Sequence, residues 1–290
     1  MRAIARFNAG DLVGCLEDGR ESLALLPSGE PRFYRVIGSQ ISAAGLLGQQ
    51  EVLRSLLPPL LRSQPTPPAL GVYAEAVGSV AMMYGLRGLR KAAAQALEHA
   101  AAVLAERPDA DELPRGALAL SHSTLINMLE PDPWQALQLA EFACAAVSKA
   151  GNRQLEGLTR VTLGEALYSL GQQQRAETEL RTAMELGQKL NEPLVELLAQ
   201  VTLALGLSAY GPPGAGLEAE RLATPALGCA KTGVQPWRAR CSFLRRRRNC
   251  KVSARVSLSL LPVLRVSDTV VLSVFFAASG SSAGNKTVIF

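Results

Sequence analysis

The chain has 290 residues, 48% of them apolar but only 5% aromatic and 19% charged, which allows a large core built mainly from alanine and leucine and points to slim, closely packed helices. Its net charge of +5 is uneven: residues 241–290 hold eight Lys/Arg against Asp268, so residues 1–240 carry −2, and nucleic-acid binding by this body has no electrostatic support. Five cysteines, an odd number with no CxxC pair, exclude a disulfide framework and a zinc site. MRAIARFNAG has no apolar core segment of a signal peptide, so the expectation is reduced thiols in the cytoplasm.

Residues 1–63 read as degenerate helical repeats. Gly10, Cys15, Gly19 and Ser22 fall at spacings seen more clearly later, with Pro27 as the stop. Only Ala3–Phe7 precede Gly10 as helix, too little for a full first helix, which predicts either a piece of a longer chain or a short, atypical first repeat. A second weak copy at Gly48–Leu57 is expected to be cut short by Pro58 and Pro59. QPTPPALG, residues 64–71, reads as a Pro-rich linker that interrupts the array.

Residues 72–238 carry the regular pattern. Gly171 is followed by Ala176, Leu180 and Ala183, and the same ladder appears as Gly88, Ala93, Leu97 and Ala100. It recurs as Gly214, Ala219, Ala223 and Ala226, and as Ala136, Ala140 and Ala143 after Pro133 without the glycine. The opening alanines Ala93, Ala136, Ala176 and Ala219 are 43, 40 and 43 residues apart. Each unit reads as helix, turn, helix. In the best copy Leu155, Leu158, Leu163, Ala166, Leu167 and Leu170 share one face of the first helix. Ala176, Leu180, Ala183, Gly187 and Leu190 share one face of the second. Gly171 supplies the positive φ that ends the first helix, and Asn191 with Pro193 closes the unit. Glu177, Arg181, Glu185 and Lys189 mark the solvated side at i,i+4 spacing. Small residues such as Gly164 and Ala176 let two helices approach closely. One pair cannot hide its own apolar face, so pairs are expected to stack into a solenoid.

Leu163-Gly164, Tyr168, Gly171, Ala176, Leu180 and Ala183 resemble the tetratricopeptide repeat. Tyr84, Gly88, Ala93, Leu97 and Ala100 resemble it again, and Leu205-Gly206 with Ala219 and Ala226 more loosely. The units run near 40 residues rather than the ~34 of that family, like the longer, degenerate repeats of large bacterial regulators. The resemblance implies an all-α, right-handed superhelical solenoid of antiparallel helix pairs over residues 1–238. It further implies a non-catalytic scaffold that binds a protein or peptide on its concave face, with no cofactor, metal or membrane. The inner face of each first helix would line that groove, which puts Glu165, Tyr168 and Ser169 toward a ligand, with Ser121 in the copy before; Tyr168 could equally pack against the next pair. The alternative is a regulatory or sensor segment of a multidomain ATPase, kinase or transcription regulator, favoured by an encoded ATPase or DNA-binding module beside it.

After Trp237 the character changes. Residues 239–290 form a basic, Ser-rich tail that reads as irregular or weakly β, with alternation at Val252–Leu260 and a β-rich run at Thr269–Ala278. A shifted reading frame near Arg240 would explain the change, and so would a β appendage or a membrane- or partner-binding tail. Gly280-Ser281-Ser282-Ala283-Gly284 matches a nucleophile elbow, but no acid and no His follow it. Asn285-Lys286-Thr287 matches a glycosylation acceptor without a secretory signal, and Arg245–Arg248 reads as a solvated charge run. His99 and His122 have no spaced partner for metal or acid–base work, and GCAKTG lacks the ending of a phosphate loop. No catalytic constellation is present in the sequence, so an enzyme is not expected.

Overall fold

A computed structural model describes residues 2–9, 11–107, 111–129, 132–212 and 214–231, with the side chains of residues 8 and 224–231 excepted. The tail expectations, from the strand-like runs to the serine and arginine motifs, lie outside the described residues. Among those described the protein is all-α, with twelve α-helices and one 3-10 turn. The described residues fall into two compact units that divide between residues 199 and 200.

The first unit contains α1 (Arg2–Asn8), α2 (Leu12–Leu25), α3 (Pro31–Leu46), α4 (Gln50–Arg62), the 3-10 turn Pro67–Ala69, and α5 (Leu70–Leu86). It continues with α6 (Arg90–Ala105), α7 (Glu112–Leu129), α8 (Pro133–Lys149), α9 (Arg153–Ser169) and α10 (Gln173–Leu190). α11 (Pro193–Tyr210) has residues in both units, and α12 (Ala215–Lys231) lies in the second. The helices pack as successive pairs: α1 on α2, α3 on α4, α5 on α6, α7 on α8 and α9 on α10. First helices also pack on first helices, α3 on α5, α5 on α7 and α7 on α9.

The boundaries follow from local chemistry. Asp11, Asp132 and Asn152 accept the backbone N–H of Gly14, Gln135 and Leu155 at 2.9, 3.0 and 3.1 Å, capping α2, α8 and α9. Pro31, Pro133 and Pro193 open α3, α8 and α11, where a missing N–H costs nothing. Five helix ends share one device. Gly48, Gly88, Gly151 and Gly171 take φ of 71, 72, 69 and 76°, and Asn191 takes 53°. In each, the next residue's N–H reaches back five positions, as Gln172 does to Leu167 O at 2.9 Å. This is the Schellman closure, which satisfies carbonyls the helix leaves open.

Close approach comes from small residues. Ala93, Ala136, Ala176 and Ala219, which open the ladders, are 0–1% exposed, and Ala100, Ala143 and Ala183 are fully buried. A Cβ added to Gly164 would come within 2.6 Å of Leu180 Cγ, so α10 lies against α9 backbone at that point. Met83 and Leu125 fill the space over Gly45 and Gly85, which stand at matching places in α3 and α5. One cluster runs from Ala3 in α1 to Leu125 in α7, so core packing continues across residues 64–71. Within it Tyr34 meets Tyr73 edge-on at 5.2 Å, and the Tyr34 hydroxyl donates to Ser63 Oγ at 2.8 Å. Arg87 donates to Met83 O and Gly45 O at 2.9 and 2.7 Å, tying the ends of α5 and α3.

Two features differ from the sequence reading. α4 runs through Pro58 and Pro59 to Arg62. The carbonyls those prolines leave unbonded belong to Arg54 and Ser55, both exposed to water, while fully buried Leu60 anchors the last turn. α9 is also buried well beyond one apolar face: Glu156, Thr159, Thr162 and Glu165 are at most 3% exposed, because α9 packs on α7, α8 and α10 together.

In the second unit, α11 buries Val201, Leu203, Ala204 and Leu207, and α12 buries Ala219 and Ala223. Gly228–Lys231 of the GCAKTG stretch are the last residues of α12. Pro67–Leu86 and Pro193–Tyr210 are long and apolar enough to cross a membrane by length and composition, and more than half of each is buried inside the protein.

Candidate binding groove

A groove of about 1100 Å³ opens in the first unit along its first helices. Its floor is a stripe from each helix. Arg35, Gly38, Ser39 and Ser42 of α3 recur at i, i+3, i+4, i+7, and so do Val72, Glu75, Ala76 and Ser79 of α5. Leu113 and Pro114 of α7 and Gln154, Leu155 and Leu158 of α9 extend it.

These positions are equivalent between repeats. Arg35, Glu75 and Leu158 each stand thirteen residues before a positive-φ glycine, Gly48, Gly88 and Gly171. Ser39 and Ser79 stand nine before, and Val72 and Leu155 sixteen before. The groove is therefore written by one surface of the repeat. Gly38, Ser39 and Ala76 keep its floor low, and a Cβ added at Gly38 would stand 3.4 Å from Ala76 Cβ.

Its charge is mixed. Glu75 is half-buried on the floor, and burial pushes its carboxyl up although nearby Arg35 opposes this. Among the described residues no donor stands within hydrogen-bond or ion-pair reach of that carboxylate. Glu106, Asp111 and Glu192 add negative charge at the margins and Arg107 adds positive. Ser39 and Ser79 donate to Arg35 O and Glu75 O in their own helices, at 2.6 and 3.1 Å.

Ser121, Glu165, Tyr168 and Ser169 do not line this groove. Ser121 donates to Ala117 O at 3.2 Å and sits over Gly78 of α5. Glu165 and Tyr168 are buried at 3% and 5% exposure, on the face of α9 that carries Gly157, against which Val195 packs. Ser169 is half-buried and donates to Glu165 O at 2.9 Å. The groove follows the N-terminal and middle turns of the first helices. The signal that would have found it is the run of small or charged residues at i, i+3, i+4, i+7 on α3 and α5, helices otherwise buried.

A second polar cluster joins α9 and α10. Glu156, 3% exposed, accepts from Arg153 and Arg160 at 2.8 Å each, and Arg160 donates to Glu179 at 2.6 Å. Burial alone would raise the Glu156 carboxyl, but the bonds from Arg160 and Arg153 outweigh it and hold the group below its ordinary range. Burial pushes the Cys144 thiol beside it up. All the strong donors and acceptors here are spent on one another, so the cluster serves as a clip. His99 Nε2 lies 3.0 Å from Leu61 O at the end of α4, and His122 is exposed. Among the described residues no three His, Cys, Asp or Glu side chains gather to hold a metal.

No protein-family model matches the chain, and no curated protein shows a significant match to it.

Proposed function

We propose that the chain is a tetratricopeptide-like helical-repeat scaffold whose paired helices queue into a superhelical solenoid and hold a protein or peptide segment. The observation that carries this is the repetition within the groove. Three of the first helices, α3, α5 and α9, offer side chains from the same repeat positions, so an extended or helical segment laid across them meets the same surface more than once. The lining sets short side chains such as Ser39 and Ala76 beside the apolar Val72, Leu113, Leu155 and Leu158, which suits a chain with apolar side chains better than a small polar molecule. The reaction chemistry of the site is none; binding is its work.

The test is direct. The full chain is titrated into a fluorescein-labelled pool of random peptides of about ten residues, and anisotropy is recorded. Saturable binding that is lost in Ser39→Trp and Val72→Trp, at unchanged melting temperature, supports the reading. Absence of saturable binding, or full binding by both filled-groove variants, contradicts it.

A further inference from the structure

We infer that the segment this groove receives carries a lysine or arginine whose charged end seats against the Glu75 carboxylate, an inference that rests on the scaffold reading above.

The geometry selects Glu75. It lies on the floor, half-buried, with no donor in reach among the described residues, whereas the buried carboxylates of Asp18 and Glu156 are bonded, Asp18 by Arg2 and Arg6 and Glu156 by Arg153 and Arg160. A carboxylate already stripped of part of its water gains more from a cation than an exposed one does. Arg35 holds the equivalent position one repeat earlier but is exposed and well hydrated, so it offers an anion much less. The charges lining the groove agree: Glu75, Glu106, Asp111 and Glu192 against Arg35 and Arg107, an excess of two negative charges. That burial raises the Glu75 carboxyl in spite of Arg35 fits a site short of positive charge.

The remaining contacts are apolar. Val72 stands one turn before Glu75 on α5, and Leu113, Leu155 and Leu158 lie beyond it on α7 and α9. A cationic residue on Glu75 thus leaves its neighbours in the segment facing aliphatic wall, and the stem of a lysine or arginine is itself apolar. The partner is a basic segment with aliphatic flanks.

The experiment compares two labelled peptide pools of about ten residues on the full chain, one with Lys and one with Glu fixed at the centre, all other positions random and uncharged. The Lys pool is expected to bind ~10-fold or more tightly than the Glu pool. Glu75→Gln removes that preference, and Arg35→Gln strengthens binding of the Lys pool a few-fold. The second variant gains rather than loses, so a folding defect cannot imitate it. Equal binding of the two pools, tighter binding of the Glu pool, or a Lys preference that survives Glu75→Gln overturns the assignment of the cation and leaves the scaffold reading standing. Binding of neither this pair nor the fully random pool overturns both.

Discussion

Leu180 of α10 is fully buried in a notch that exists because residue 164 of α9 is glycine; a Cβ there would stand 2.6 Å from Leu180 Cγ. Glycine costs a helix about 1 kcal/mol against alanine, so Gly164→Ala would stabilise α9 in isolation. In the folded protein the methyl collides with a side chain that has nowhere to go, and overpacking costs about 1–3 kcal/mol. The expected net result is a loss of up to about 2 kcal/mol in urea unfolding. In a Leu180→Ala background the same change becomes neutral or stabilising, and a double-mutant cycle reads the difference.

Gly171 is needed for a different reason. Nothing lies within 4 Å of a Cβ placed there, but its φ is 76°. Gly171→Val forces a β-branched residue into that region and should cost about 2 kcal/mol. Gly171→Asn should cost less than 1 kcal/mol, because asparagine tolerates this backbone, as Asn191 does at the end of α10. Thermal melts of the two variants separate backbone strain from crowding.

Glu156 accepts from Arg153 and Arg160 of its own helix α9, and Arg160 reaches on to Glu179 of α10. Glu156→Ala leaves half-buried Arg160 with Glu179 alone, an expected loss of about 2–3 kcal/mol, toward the low end for broken buried pairs because the arginines are partly solvated. The pH dependence has a definite sign. The carboxyl is held lower in the folded protein than in the unfolded chain, whose value is 4.5, so its contribution is complete above that pH and is lost as pH falls below it. The wild-type and Glu156→Gln stability curves should therefore converge on the acid side.

Two buried polar groups work against the fold. Asn127 of α7 is 2% exposed with neither amide atom hydrogen-bonded, and the Tyr73 hydroxyl is equally unsatisfied. Asn127→Leu and Tyr73→Phe remove an unmet desolvation cost of about 1–3 kcal/mol each. Both variants should melt higher than the parent, Asn127→Leu by the larger amount, since it removes a donor and an acceptor together.

What the sequence discloses about this fold is its punctuation. Gly88, Gly171 and Gly214 mark turns because positive φ leaves few other residues in that place, and the alanine ladders mark contact faces because nothing larger fits. α3 is not legible in the same way: Pro31 and Gly48 bound it, but the small residues Gly38, Ser39, Ser42 and Gly45 blur its apolar face, since they serve the groove or a neighbouring helix. α4 is obscured by Pro58 and Pro59, whose cost depends on whether the freed carbonyls reach water, a tertiary fact. The groove is hidden by the same logic. Which half of a first helix stays open depends on how successive pairs lean on one another, and Glu165 and Tyr168, polar enough to suggest a ligand, are spent inside α9's own packing.

The claim beneath all of this is that consecutive hairpins stand in a row and turn the same face inward. Arg35, Glu75 and Leu158 occupy that face on α3, α5 and α9. In a cysteine-free background each pair of them takes nitroxide labels on introduced cysteines, and pulsed electron–electron resonance reads the distances. With neighbouring helices ~10 Å apart, the account predicts one narrow distribution near ~20 Å for positions 75 and 158, two helices apart, and another near ~30 Å for positions 35 and 158, three apart. Distances that fail to lengthen with each added hairpin, or that spread over tens of ångströms, would contradict it.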